Sequence, residues 1–116
     1  MNDSATTVRK LRDAVQAFVD EREWRPFHDP KNLAMSIAIE AAELMEHFQW
    51  LRSHELAAVR ESADDMQQIR EELADIVCYL LSFANAMDID VTQALTDKLK
   101  KNEIKYPADR FRGRFR

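Results

Sequence analysis

A single glycine, Gly113, in a chain of 116 residues is the feature that most restricts the possible folds. Turns depend on glycine and proline, and the chain has only three prolines, so an all-β sandwich or barrel is excluded. Loops that cradle phosphates or dinucleotides need clustered glycines, and they are excluded for the same reason. Hydrophobic residues make up 46% of the chain, which is a globular composition. We therefore expect one compact helical domain.

The charge and the cysteine content exclude further classes of protein. Seventeen basic against 21 acidic residues give a net charge of −4, so we expect no nucleic-acid partner. The single cysteine, Cys78, excludes an intrachain disulfide and a cysteine-rich zinc site. We expect residues 1–107 to form the domain and residues 108–116 to form a solvated basic tail. The arginines of this tail are Arg110, Arg112, Arg114 and Arg116.

No segment of the sequence suits a membrane or a secretory signal. The N-terminal residues MNDSATTVRKLRD lack an apolar stretch, so we expect no signal peptide. The most apolar stretch, from Leu73 to Met87, contains Asp75 and Asn85 and is too short and too polar to span a bilayer. We therefore expect a cytoplasmic protein without a membrane partner.

Apolar residues recur at helical spacing in four segments, which predicts four helices. Asp29 is a good N-cap for the second helix, and the proline that follows it is favoured at the first helical position. Asp90 is a good N-cap for the fourth helix. The third helix is apolar over a wide arc, so we expect it to be the most buried. The first predicted helix begins near Val8, and the second runs from Pro30 to about Leu51. The third runs from about Asp65 to Met87, and the fourth from Asp90 to about Lys105. Their short connections favour an all-α, antiparallel four-helix bundle.

Two pairs of acidic residues lie on the core-facing flanks of the second and third helices. At about 100° per residue, Glu40 and Glu43 flank the apolar stripe of the second helix, and Glu46 points to water. Glu72 and Asp75 repeat this spacing on the third helix. Carboxylates near a core repel one another and lose hydration, and a divalent cation removes that conflict. For a single acid, pairing with a surface lysine or arginine is the simpler interpretation, but two matched pairs favour a metal site.

The ligand types narrow the choice of metal. Oxygen ligands alone favour Mg²⁺ or Mn²⁺ over zinc. A di-iron bundle uses Glu-x-x-His pairs, which are absent because Leu44 lies three residues before His47. We therefore expect Mg²⁺, with Mn²⁺ as a possible substitute.

Aromatic and polar residues near these carboxylates suggest a site for a nucleotide. Trp50 follows Glu43 by seven residues and Tyr79 follows Glu72 by seven, so each aromatic shares its carboxylate's face about 10 Å along the helix. Taken alone, each aromatic is more often core packing. The lysine and asparagine on the inner face of the fourth helix suit phosphate oxygens. The candidates for binding are Trp24, Phe27, His28, Trp50, Tyr79, Lys98 and Asn102.

Several motifs occur in the order typical of one known family. They are Glu-x-x-Glu at 40–43, Glu-x-x-Asp at 72–75, EREWRPFHDPKNL at 21–33, ELMEHFQW at 43–50, EELADIVCYL at 71–80 and Lys-Tyr-Pro at 105–107. With these motifs the chain resembles the MazG-like, all-α nucleoside triphosphate pyrophosphohydrolases, and most closely their dCTP pyrophosphatase branch. The resemblance covers about residues 8–107.

The resemblance implies Mg²⁺-dependent cleavage of a (d)NTP, most closely dCTP or a modified dCTP, to the monophosphate and pyrophosphate. It implies a role in cleaning the nucleotide pool and a homodimer or homotetramer whose pockets are shared between subunits. By family position, the metal ligands are Glu40, Glu43, Glu72 and Asp75, and we expect Glu40 or Glu43 to orient the attacking water. The base and sugar fall to Trp24 to His28, Trp50 and Tyr79, and the phosphates to Lys98 and Asn102.

Two alternatives stay open. The chain could be a non-catalytic helical interaction module whose aromatic residues form a partner-binding groove. It could also be an enzyme that hydrolyses nucleoside diphosphates as well, like the related dUTPases. Stabilisation by Mg²⁺ distinguishes a metal site from a groove, and product analysis distinguishes the two enzymes.

Overall fold

The computed structural model describes residues 1–114, and that part of the chain contains helices and no β-strand. Arg116, the last arginine of the predicted basic tail, lies outside the described residues. Two short 3₁₀ helices, Arg25–Phe27 and Ser53–Glu55, lie in the connections. The α-helices are α1 (Val8–Glu21), α2 (Pro30–Glu46), α3 (Leu56–Glu61), α4 (Ala63–Met87), α5 (Val91–Lys105) and α6 (Ala108–Phe111).

Each of the four long helices begins at a polar side chain that accepts a hydrogen bond from a first-turn amide. Such caps satisfy amide groups that have no partner within the helix. The predicted caps Asp29 and Asp90 are confirmed, and they accept from the amides of Asn32 and Gln93. The other two caps are Thr7 for α1 and Ser62 for α4.

The end of the second helix differs from the prediction. α2 ends at Glu46 and not near Leu51, because the amides of His47 and Phe48 turn to carbonyls three residues back. This tighter winding closes the helix and begins a turn. Trp50 therefore lies beyond the helix, and its predicted place on the face of Glu43 is wrong.

α4 is the central helix of the chain, and it packs mainly against α2 and also against α1 and α3. The buried apolar core consists of Val19, Leu33, Leu81 and Ala84, and Leu33 is its most buried member. The prediction that this helix is the most buried one is confirmed, but part of its apolar arc is exposed in a single chain. Its apolar residues Leu73, Val77, Leu80 and Met87 are exposed.

α5 projects away from the other helices and packs extensively on none of them within residues 1–114. Leu95 and Leu99, on its predicted inner face, are 58% and 50% exposed. The radius of gyration is 17.4 Å, whereas a compact domain of this length has about 13 Å. The all-α fold is confirmed, but α5 does not close a bundle within the chain. Periodicity predicts that a helix has an apolar face to bury. It does not show whether the same chain or another molecule buries that face.

No helix within residues 1–114 is long and apolar enough to cross a membrane.

Candidate functional site

Three carboxylates, Glu40, Glu43 and Glu72, converge where α2 packs against α4. One carboxylate oxygen from each lies within 4.8 Å of the other two, and all three residues are half-buried. The i, i+3 spacing places Glu40 and Glu43 on one face of α2, and the packing of the helices brings Glu72 to them. The chain thus assembles three of the four predicted metal ligands from two helices.

Burial and neighbouring negative charges disfavour the ionised form of two of these carboxylates. Burial, and then the hydrogen bond and charge of Glu43, raise the pKa of Glu40 from 4.5 to about 7. Burial and the same neighbour also raise the pKa of Glu72. Within residues 1–114, the Oε2 atoms of Glu40 and Glu72 are buried without a hydrogen-bond partner. Unpartnered carboxylate oxygens of this kind call for a proton or a cation.

The donor set fits a hard divalent cation. All three converging groups are carboxylates, two of them carry a buried oxygen without a partner, and none is a thiol or an imidazole. Mg²⁺ and similar cations prefer oxygen ligands and keep several waters, so three carboxylates can hold such an ion.

Asp75 lies beside this cluster but does not converge with it. Its side chain is exposed, and it is absent from the group of oxygens that meet within 4.8 Å. Its negative charge still contributes to the raised pKa of Glu40, of Glu72 and of the Tyr79 hydroxyl. The metal-binding role of Asp75 therefore stays a prediction.

His47 is a residue of the site that the sequence reasoning missed. Its Nε2 lies 4.0 Å from Oε1 of Glu72, and each of the two side chains is 23% exposed. His47 follows Glu43 by four residues and Glu40 by seven, so helical spacing alone places it on their face. The spacing Glu43-x-x-x-His47 is therefore the sequence signal for this neighbour.

A row of aromatic rings leads from the loop before α2 to the side of α4. The rings of Trp24 and His28 stack at 6.1 Å, and those of His28 and Tyr79 stack at 6.3 Å. A contact between Nδ1 of His28 and the Trp24 carbonyl, at 3.0 Å, orients the imidazole. Three of the predicted binding residues are therefore brought together. Phe27, which is 69% exposed, and Trp50, which is 85% exposed, project outward instead.

The two predicted phosphate ligands are on α5. Lys98 is exposed and Asn102 is half-buried. Within residues 1–114, neither side chain makes a hydrogen bond or an ion pair with the carboxylates. The projection of α5 away from the bundle is the reason, and the role of both residues stays a prediction.

The fold and the site define a class: an all-α protein with a carboxylate cluster between two helices and an aromatic row beside it. The chain belongs to the MazG-like family, whose model matches residues 35–114. It is also similar to the crystal structure of a pyrophosphatase from Archaeoglobus fulgidus. The identity is 38% and the TM-score 0.80, with 92% of this chain and 98% of that chain covered.

Curated relatives carry the name dCTP pyrophosphatase 1. The protein from Bos taurus is 34% identical over 95% of this chain and 65% of its own length. The protein from Homo sapiens is 33% identical over 88% of this chain and 60% of its own length. The chain thus spans less than two thirds of these relatives. The predicted resemblance to the dCTP pyrophosphatase branch of the MazG-like family is confirmed.

Proposed function

We propose that the protein is a nucleotide pyrophosphohydrolase that cleaves a (d)NTP, with dCTP or a modified dCTP as the substrate. The convergence of Glu40, Glu43 and Glu72 carries the proposal, because two of their oxygens are buried without a partner. The similarity to dCTP pyrophosphatases and to a solved pyrophosphatase supports the substrate class.

The reaction is a hydrolysis at the α-phosphorus. The oxygen of water forms a bond to this phosphorus, the bond to the bridging oxygen breaks, and pyrophosphate leaves with its electrons. We assign Glu40 or Glu43 to orient the water and accept its proton. Glu40, Glu43, Glu72 and Asp75 would hold Mg²⁺, or Mn²⁺ in its place. When bound, such an ion offsets phosphate charge and lowers the pKa of a coordinated water.

The base and the sugar belong beside the aromatic row. Stacking of a base on an aromatic ring contributes about 1–3 kcal/mol. Trp24, His28 and Tyr79 form the row, and Tyr79 lies two helical turns beyond Glu72 on α4. A nucleotide whose phosphates lie at the carboxylates can therefore extend its base toward these rings. The assignment of the exposed Phe27 and Trp50 to the base and the sugar rests on the resemblance alone.

We infer that the exposed apolar faces of α4 and α5 bind a second copy of this chain. The accessible surface is 9582 Å², whereas a compact protein of 13.6 kDa exposes about 6,600 Å². The excess of roughly 3,000 Å² per chain corresponds to about 6,000 Å² over two chains, which is the scale of the large interfaces of obligate oligomers. We propose a homodimer or homotetramer in which α5 of one copy covers α4 of another. Lys98 and Asn102 then reach the phosphates across the interface.

The physiological role that follows is the removal of unwanted or surplus nucleotides, and a cytoplasmic location stays a prediction from the sequence.

A nucleotide panel tests the proposed activity. The four common dNTPs, the NTPs and modified dCTP analogues are incubated with the protein and Mg²⁺, and released phosphate is measured with and without added inorganic pyrophosphatase. We expect phosphate to appear only when pyrophosphatase is added, since the product is pyrophosphate. No release from any nucleotide, with Mg²⁺ or Mn²⁺, contradicts the proposal and favours the interaction module, whose groove would use the exposed Phe27 and Trp50.

A further inference from the structure

One histidine lies beside the carboxylate cluster and has no part in the proposed reaction. Nε2 of His47 is 4.0 Å from Oε1 of Glu72, and 23% of each side chain is exposed. Within residues 1–114, no lysine or arginine nitrogen lies within 4.0 Å of a carboxylate oxygen of Glu40, Glu43 or Glu72. His47 is therefore the one basic side chain of the described chain that contacts this group of negative charges.

The backbone of His47 is fixed at the point where α2 ends. Its amide donates to the carbonyls of Leu44 and Met45, and its φ and ψ angles of −67° and −18° are still helical. The imidazole thus leaves the helix about one turn after Glu43, on the side that faces α4. None of the hydrogen bonds within residues 1–114 involves this ring, so Glu72 is the polar group that it faces.

The two oxygens of Glu72 have different surroundings. Oε1 faces the imidazole, whereas Oε2 is buried without a hydrogen-bond partner among residues 1–114. A carboxylate that binds a metal is ionised and can only accept, so the ring nitrogen that faces it carries a proton. With Oε1 turned toward this donor, Oε2 is the oxygen that remains for a cation.

The distance defines the kind of contact. At 4.0 Å, the separation of Nε2 from Oε1 is longer than the about 2.7–3.2 Å of an N–H···O hydrogen bond, so the contact is electrostatic. A movement of about 1 Å in either side chain forms the hydrogen bond, and both side chains are partly exposed.

We propose that His47 is a positioning residue for the metal site: its Nε2–H group holds Oε1 of Glu72, so that Oε2 is directed to the cation. The inference rests on the proposed function, in which Glu40 and Glu43 share that cation. His47 is not itself a ligand, because its nitrogen is outside the group of ligand atoms that lie within 4.8 Å of one another. Groups that hold a metal ligand in place are important, since their loss lowers metal affinity about 10- to 100-fold.

Binding of Mn²⁺ to the nucleotide-free protein tests the inference without turnover. Free Mn²⁺ is followed by its electron paramagnetic resonance signal during a titration, which gives the dissociation constant. We expect His47→Leu, which removes the donor but keeps a bulky side chain, to raise this constant about 10- to 100-fold. His54→Leu is the matched control, since His54 is exposed and lies in the connection after α2. An unchanged constant in His47→Leu overturns the inference.

A conservative substitution separates positioning from packing. In His47→Gln the side-chain amide donates from about the place of Nε2, so we expect the dissociation constant for Mn²⁺ to stay close to the wild-type value. An equal loss of affinity in His47→Gln and His47→Leu overturns the inference. A role in packing alone would instead lower the melting temperature of His47→Leu in EDTA and leave its dissociation constant unchanged, which also overturns the inference.

Turnover separates the inference from the function on which it rests. Weaker binding of Mn²⁺ in His47→Leu, without hydrolysis of any nucleotide by the wild type, refutes the proposed function alone. Hydrolysis by the wild type, with equal affinity for Mn²⁺ in the wild type and His47→Leu, refutes the role of His47 alone. A wild type that binds no Mn²⁺ overturns the inference, and the nucleotide panel then decides the activity separately.

Discussion

Within residues 1–114, the buried guanidinium of Arg12 is held by Asn85 and not by a carboxylate. Nε of Arg12 donates to the amide oxygen of Asn85 at 2.9 Å, and the amide nitrogen of Asn85 donates to the Arg12 carbonyl at 3.1 Å. Nη1 of Arg12 donates to the Ile89 carbonyl at 2.7 Å, and Arg12 is only 4% exposed. These bonds join α1 to the end of α4.

Loss of the Asn85 amide should destabilise the fold. In Asn85→Ala the buried guanidinium loses a partner, and a hydrogen bond to a charged group contributes about 1.5–3 kcal/mol. We expect the free energy of unfolding in urea to fall by about that amount. Gln68→Ala, at an exposed position of α4, is the control and should change stability little. Equal stability of Asn85→Ala and the wild type would show that Arg12 does not need this partner.

The stability of the metal-free protein should decrease as pH rises from about 4.5 to about 7. The pKa of Glu40 is about 7 in the folded chain against 4.5 as its ordinary value, so the unfolded chain loses this proton first. Deprotonation then favours the unfolded state until the folded group also ionises, and the decrease levels off above about pH 7. Melting temperatures measured in EDTA at several pH values test this decrease in stability.

The variant Glu40→Gln should flatten this pH dependence and raise the melting temperature of the metal-free protein at pH 7. The amide carries no charge, so the cost of ionising a buried group disappears. Glu46→Gln, on the exposed side of the same helix, should keep the wild-type slope. The same slope in Glu40→Gln as in the wild type would disprove the assignment.

Magnesium should stabilise the wild type at pH 7 to 8. A ligand that binds only the folded state stabilises it by about 2.7 kcal/mol at one hundred times its dissociation constant. We expect Mg²⁺ to raise the melting temperature of wild type and Glu46→Gln but not of Glu72→Gln. Because a partner-binding groove has no such dependence, an absence of stabilisation in wild type would favour the interaction module.

Glu43→Gln should lower kcat by about a hundredfold or more, since removal of one group that stabilises the transition state commonly costs this much. Glu43 contacts both other carboxylates, but its substitution leaves the packing of α2 intact, so the helical circular dichroism signal should persist. Glu46→Gln serves as the control with unchanged turnover. Retained activity in Glu43→Gln would remove this residue from the metal site.

The mass of the particle in solution should be two or four times the chain mass of 13.6 kDa. Light scattering coupled to gel filtration measures it, and we expect Leu99→Glu to lower the mass. A charge at this half-exposed position of α5 would have to be buried in the interface, at a large cost. Leu99→Glu should also lose activity, because Lys98 and Asn102 would no longer reach the phosphates. A monomeric wild type would contradict the proposed assembly.

Local patterns predicted much of the architecture. The caps Asp29 and Asp90 are confirmed, because capping depends only on a side chain and the amides of the next turn. The convergence of Glu40 with Glu43 followed from their spacing on one helix. The end of α2 was wrong, since apolar residues continue past Glu46 while the backbone has already tightened into a turn. Trp50 was misplaced for this reason.

The sequence by itself determined the helical class, the helix starts and the flanks on which the carboxylates lie, because these depend on composition and on residues within two turns of each other. Only the tertiary structure decided that Glu72 meets Glu40, that His47 lies beside them, and that α5 stands apart from the bundle. A cavity lined by Gln16 of α1 and Ser82 of α4 also belongs to the tertiary structure, since these two residues are distant in the chain. Contacts between distant residues depend on how helix faces pack, and periodicity leaves that choice open.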